Sequence, residues 1–418
     1  MGSGYRPIPK SSPSNLQIEK VPEIPDDKFR FRFSPLEVEN CSESKDVRAL
    51  DVSYDYDYAP VDIDNYPLNG GGHKSGSAIS GAVFNLTTSI IGAGIMALPT
   101  TMKVLGLVLG TVLIVLIGIL SEISVELLVR FSVFANASSY GEVVQYKIDS
   151  LSMTSAASVA LAVVFVVVCF IVAFIKIVEG SIESPRMNPD FGSKKAILDM
   201  LVVIPIMSNA YVCHFNVRPI YNELEGRSPE RMNQVGRITT AICVVVYSST
   251  AKSGYLLFGN NTEADILTNF DKDLGILRFS SALDYIVRIG YILHLVLVFP
   301  VIHFPLRQTV DTLLFEGSAP LVDSRKRSLT LTAILLALIY IGSTMIPNIW
   351  MAFKFTGATT AVSLGFIFPP LIALRFCQKG ASLNHAEKFL SWVMLVLAVI
   401  VSIVRVIRNI YSLESQSE

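Results

Sequence analysis

Two stretches of this chain combine residues that weaken a helix with residues that hydrogen-bond. The first reads Asn85-Leu-Thr-Thr-Ser-Ile-Ile-Gly-Ala-Gly-Ile-Met-Ala-Leu-Pro99. Two glycines, Gly92 and Gly94, add backbone entropy cost without packing, and Pro99 closes the run. Polar Asn85, Thr87, Thr88 and Ser89 precede them. Backbone that unwinds at membrane depth is tolerated only where it lines a cavity or is buried in protein. Its bare N–H groups and the new helix start can hold a carboxylate, and its freed carbonyls a cation or an ammonium. Small residues also let helices pack closely, and residue chemistry alone leaves both readings open. The second stretch runs from Pro205 to Leu224, with prolines (Pro205, Pro219) flanking polar Ser208, Asn209, Tyr211, His214 and Asn216. Those side chains are costly against lipid and are expected to face protein or water. Pro205 removes one helix hydrogen bond. Two interrupted spans far apart in sequence point to a transporter site at a repeat interface.

Other titratable residues fit structural roles more readily. Glu122 and Glu126 lie one turn apart and can relay protons, but Glu126 is also spaced i,i+4 from Arg130, the geometry of an ion pair. His214 can titrate in a mildly acidic compartment or simply hydrogen-bond. Asp284 and Arg288 are spaced to pair, and Lys252 is placed to snorkel. The five cysteines lack metal-ligand or disulfide spacing and read as small apolar filler. No nucleophile–base pair, metal cluster or phosphate-binding loop emerges, so neither an enzyme nor a cofactor is implied.

The elements that carry these residues are membrane spans. The chain has 418 residues, 51% apolar and 17% charged, with mean hydropathy +0.51. That balance departs from a soluble domain, and a net charge of −1 gives no support for nucleic-acid binding. Nine runs approach the roughly 20 residues needed to cross a bilayer: 77–100, 104–130, 152–178, 196–221, 236–259, 283–306, 329–349, 354–376 and 388–411. Each must be helical, because unpaired backbone is not tolerated in lipid. Residues 1–75 form a polar tail with the acidic stretch Asp51–Tyr58, expected to be disordered and cytoplasmic. The transporter domain is expected over 76–414. No signal peptide precedes the first run. Basic residues concentrate in alternate loops. Arg130, Arg218, Arg227, Arg231, Arg307 and Lys388 fall on one side; Lys103, Arg186 and the acidic loop 260–282, with a glycosylation pattern at Asn260, fall on the other. The bias places the N-terminus in the cytoplasm.

The stretches Phe84–Pro99, Cys213–Leu224 and Gly254–Gly259 resemble the first, sixth and seventh helices of the amino acid/auxin permease family. The likeness runs from about Ser75 to the C-terminus. It is nearest to plant vacuolar amino-acid transporters of the AVT type, beside the SNAT branch. The resemblance implies an all-α, LeuT-like fold of inverted repeats with eleven spans, its first and sixth helices broken at the substrate. Carried onto this chain, Ile91, Gly92, Ala93 and Gly94 receive the carboxylate of an L-amino acid, and Ser208, Asn209 and Tyr211 line the opposite wall. Asn85 matches an asparagine that helps bind sodium in SNAT members. Val298 stands where those members carry a hydroxyl residue. A valine cannot ligate a hard cation, which tilts the expectation to protons, with Asn85, His214 and Glu122 as coupling candidates. Nine spans are two short of eleven. The chain passes from Gln145 to Lys147 where the family's third and fourth helices belong, and losing a pair preserves the orientation of every later span. The expected function is therefore proton-coupled amino-acid transport in a vacuolar membrane. The alternative is a non-transporting chain that senses amino acids or associates with full-length relatives.

Overall fold

The computed structural model describes residues 77–134, 149–180, 182, 184–270, 280–315, 318, 321–346, 349–378 and 383–417. The tail over residues 1–75 and the junction at Gln145 and Lys147 lie outside them. Among the described residues the fold is all helix, with a single isolated bridge between Ser77 and Leu224. The helices are α1 (Ile79–Ile90), α2 (Leu98–Phe134), α3 (Asp149–Val178), α4 (Lys194–Ala210), α5 (His214–Glu223) and α6 (Pro229–Phe258). After them come α7 (Ile266–Phe270), α8 (Ser280–Leu314), α9 (Arg325–Met345), α10 (Ile349–Thr356), α11 (Phe368–Gln378) and α12 (His385–Ser417). Seven helical segments are long and apolar enough to span a membrane. The short α1 and the long α12 account for the other two runs read in the sequence. The protein is an all-α polytopic membrane protein.

Both interruptions expected from the sequence are present. The first separates α1 from a 3-10 turn over Ala93–Ala97 that leads into α2. Pro99 does not close the first span; it sits at the second position of α2, where a missing N–H costs nothing. The true boundary between the first two runs is Gly106, at φ 75°. There the chain turns sharply, and Leu107 and Val108 donate to the carbonyls of Arg186 and Met187 at 3.1 and 3.0 Å. A Cβ on Gly106 would sit 2.7 Å from the Met187 oxygen, so only glycine fits. The second interruption lies at Tyr211–Cys213, between α4 and α5. It is not at Pro205, through which α4 runs uninterrupted. A third irregularity was not expected. Gly357–Ala361 and Ser363–Ile367 form π-helical turns between α10 and α11, and Gly357 lies against the Pro205 backbone so closely that a side chain would clash with its carbonyl.

Polar ties gather at two ends of the bundle. At one end Lys103 donates to the Thr262 carbonyl (3.1 Å), Arg186 to that of Lys103 (2.6 Å), and Thr100 to that of Glu263. At the other, Ser77 exchanges backbone hydrogen bonds with Glu223 and Glu225, and Arg218 reaches Ser132. Arg130 there has a partner beyond the i,i+4 neighbour Glu126 that the spacing implied. It crosses to Glu387 in the first turn of α12, at 2.5 Å, with the carboxylate 1% exposed. Glu126 accepts from Asn233 at 2.7 Å. Reciprocal hydrogen bonds with Asn384, at 3.0 and 2.8 Å, hold Glu387 in place for Arg130.

Candidate substrate site at the two broken spans

The site is built from the loose ends of α1 and α4. Beyond Ile90, Ile91 donates back to Thr87 (2.7 Å) and Gly92 to Ile90 (2.9 Å), and the helix stops. Ile95 donates to Gly92 at 3.4 Å, whereas the amides of Ala93 and Gly94 find no acceptor among the described residues. These two N–H groups open the next helical segment, where the backbone dipole favours negative charge. The two breaks touch. A Cβ on Gly94 would lie 3.0 Å from both Cα and Cβ of Ala210. Gly92 has more room, since its nearest neighbour would be a Val298 methyl at 3.8 Å. Gly94 is therefore the tighter of the two positions.

Around this meeting point the polar side chains divide into two groups. On one side, Ser89 donates to the Asn85 carbonyl (2.8 Å) and accepts from the Asn216 amide (2.7 Å), which also reaches the Val301 carbonyl at 3.2 Å. This joins α1, α5 and α8. The side-chain oxygen of Asn85 is buried and has no protein partner among the described residues. On the other side, Ser121 donates to the Tyr211 carbonyl (3.2 Å), and Ser124 lies 2.8 Å from His214 Nε2 and donates to the Gly365 carbonyl. His214 Nδ1 and the Tyr211 hydroxyl are buried without partners there. Tyr211 packs edge-on against Tyr247, with ring centroids 5.1 Å apart.

The residues singled out in the sequence thus distribute unevenly. Ile91, Gly92, Ala93 and Gly94 form the first break, and Tyr211 forms part of the second. Ser208 turns back to its own helix, donating to the Ile204 carbonyl at 2.8 Å, and Asn209 is half-buried beside it. Asn85 and His214 border the site on opposite sides. Glu122 stands apart with Arg237 at 3.3 Å. Arg288 donates to the Leu267 carbonyl at 3.1 Å; the side chain of Asp284, its expected partner, lies outside the described residues. Sequence reasoning missed Ser121, Ser124, Tyr247 and Tyr291. The hydroxyl-rich string Tyr247-Ser-Ser-Thr250 inside an apolar run was the available signal for Tyr247.

The broken pair of spans, set in an all-helical membrane bundle, defines a polytopic membrane protein of the transporter kind. The model of the family "Transmembrane amino acid transporter protein" matches residues 74–150 and 146–411, and the chain belongs to that family. Among its relatives, "Amino acid transporter AVT6E" of Arabidopsis thaliana is 59% identical, with all of both chains covered. "Amino acid transporter AVT6B" of the same plant is 38% identical over 82% of this chain and 92% of the relative. The mouse "Sodium-coupled neutral amino acid transporter 4" is 35% identical over 47% of this chain and 35% of its own.

The family match comes in two parts. Its two matched pieces meet at residues 146–150. The alignment with AVT6E runs over 494 positions, against 418 residues here, so about 76 of its positions face gaps in this chain. Two spans at roughly 20 residues each, with their loops, need about that length.

Proposed function

We propose that this chain is an amino-acid transporter that moves L-amino acids across an intracellular, vacuolar membrane in exchange with or alongside protons, with its N-terminus in the cytoplasm. The observation that carries this reading is the meeting of two interrupted helices at Gly94 and Ala210, with free amides at Ala93 and Gly94. Those amides suit a carboxylate. In this reading Ile91, Gly92, Ala93 and Gly94 bind the carboxylate, and Ser208, Asn209 and Tyr211 line the facing wall. Asn85, His214 and Glu122 are the coupling candidates. Val298, whose methyl would lie 3.8 Å from a Cβ placed on Gly92, supplies no oxygen for a hard cation, which favours protons over sodium. The names of the AVT6 relatives support the amino-acid substrate.

The test is flux of labelled amino acids into vesicles holding the purified chain, with and without an imposed pH gradient. Gly94→Val is expected to abolish flux, because its side chain would fill the contact with Ala210, whereas Gly92→Ala retains it. Equal flux from wild type and Gly94→Val would refute the site.

A second reading is favoured by the roughly 76 aligned positions of AVT6E that face gaps in this chain. A chain short of two spans acts as a non-transporting sensor, or as a partner of full-length relatives. It predicts stable membrane insertion, amino-acid binding or co-purification with a relative, and no flux. Robust flux from the purified chain alone eliminates it.

A further inference from the structure

The helices α1 and α4 end at the same point, and they end on their carbonyls. Ile90 is the last residue of α1 and Ala210 the last of α4. Both carbonyl oxygens lie 2.7 Å from one group, the hydroxyl of Tyr247 on α6. Ile90 O also accepts from the Gly92 amide, but Ala210 O has no second donor among the described residues. Tyr247 is fully buried, and its ring is fixed edge-on against Tyr211. A second tyrosine, Tyr291 on α8, brings its hydroxyl to 3.4 Å from the Gly92 carbonyl of the same break.

Each helix end carries a partial negative charge. Two such ends facing one another repel unless something positive lies between them. Half-helix ends meeting inside a membrane protein are a natural place for a monovalent cation. Here the space is taken. A hydroxyl oxygen at 2.7 Å from both carbonyls occupies the position from which an ion would bridge them, and its proton supplies the positive end of a dipole in the ion's stead. One proton serves two acceptors, so the hydroxyl is the minimum that can hold both ends.

We propose that Tyr247 is a built-in substitute for a cation: its hydroxyl clamps the ends of the two broken spans together, so that this junction needs no sodium. Tyr247 is a positioning residue, because it touches the ends that frame the site and not a reacting group. The inference goes beyond the transport reading and is tested on the folded chain with no flux measured, so either can fail without the other.

The experiment is thermal unfolding of the purified full chain in sodium chloride, potassium chloride and choline chloride at equal ionic strength. Wild type is expected to melt at one temperature in all three. Tyr247→Phe keeps the ring but removes the proton, and is expected to melt a few degrees lower in every salt. Tyr247→Ser opens room for an ion between the carbonyls. It is expected to be least stable in choline and to regain at least half of its loss in sodium. Should it fold only when sodium is present from solubilisation onward, that result supports the same conclusion. Any of three results overturns the proposal: sodium raising the melting temperature of wild type, Tyr247→Phe as stable as wild type, or Tyr247→Ser equally impaired, or equally unfolded, in sodium and choline.

Discussion

The helices α6 and α9 both cross the membrane, but α6 is the least apolar of the seven spanning segments and the most enclosed. Half of its membrane segment is buried in protein, against 11% for the more apolar α9. In water the order would be reversed, since apolar surface drives burial. In lipid that drive vanishes between helices, and association rests on close packing and on polar groups that need partners. The segment α6 has both: Gly254 lets Pro99 and Ile266 approach, and Tyr247, Thr250 and Tyr255 spend their hydroxyls inside the bundle. By contrast, α9 is fastened mainly at its start. Arg327 pairs with Asp311 at 2.9 Å and Thr332 accepts from Arg307, while Leu338, Tyr340 and Ile341 face outward.

The sharpest way to break this contrast is a glycine on α6. A Cβ on Gly254 would lie 2.6 Å from the Pro99 ring and still nearer to Ile266. Gly254→Val is therefore expected to abolish folded protein, read as loss of the monodisperse peak in detergent chromatography. A folded, monodisperse variant would show that α6 is not tightly enclosed. Next in size is the buried pair between α2 and α12. Arg130→Ala leaves Glu387 buried and uncompensated, at a cost of about 3–5 kcal/mol. Glu387→Gln, which can still accept from Arg130, should cost clearly less. Similar melting temperatures for the two would remove the argument.

A smaller effect is expected just beyond α6. Burial pushes the carboxyl of Asp265 above its ordinary range, although the Leu267 amide and Arg288 oppose this. A raised value in the folded state means that protonation favours folding. The contribution is present at acidic pH and is lost as pH rises through the raised value. Asp265→Asn should flatten the pH dependence of the melting temperature just above the ordinary carboxylate range. An unchanged profile would place the pH sensitivity elsewhere. Smallest of all is Leu338→Ala on α9. With 59% of the side chain exposed, it should stay within about 0.5 kcal/mol of wild type. A loss of several kcal/mol, measured in detergent or in vesicles, would mean that this face is covered by protein.

Much of the fold was legible because membrane spans declare themselves by length and apolar content, and lipid allows them only one secondary structure. The first break was legible for a local reason as well: Gly92 and Gly94 follow four polar residues within one span. The second was placed only approximately. Proline suggested Pro205, yet α4 continues through it to Ala210, because the glycine at 357 lets another helix pack on that weakened turn. The site was legible in its backbone and much less so in its side chains.

The chain by itself determined the class of protein, the two interrupted spans and the absence of an ion-ligating oxygen at Val298. These depend on composition and on neighbours within a turn or two. Only the tertiary structure decided that Gly94 meets Ala210, that Arg130 reaches Glu387, and that Tyr247 closes on two carbonyls at once. Each of those joins residues dozens to hundreds of positions apart, and a helix fixes the spacing of its own side chains but not which face of which partner they will meet.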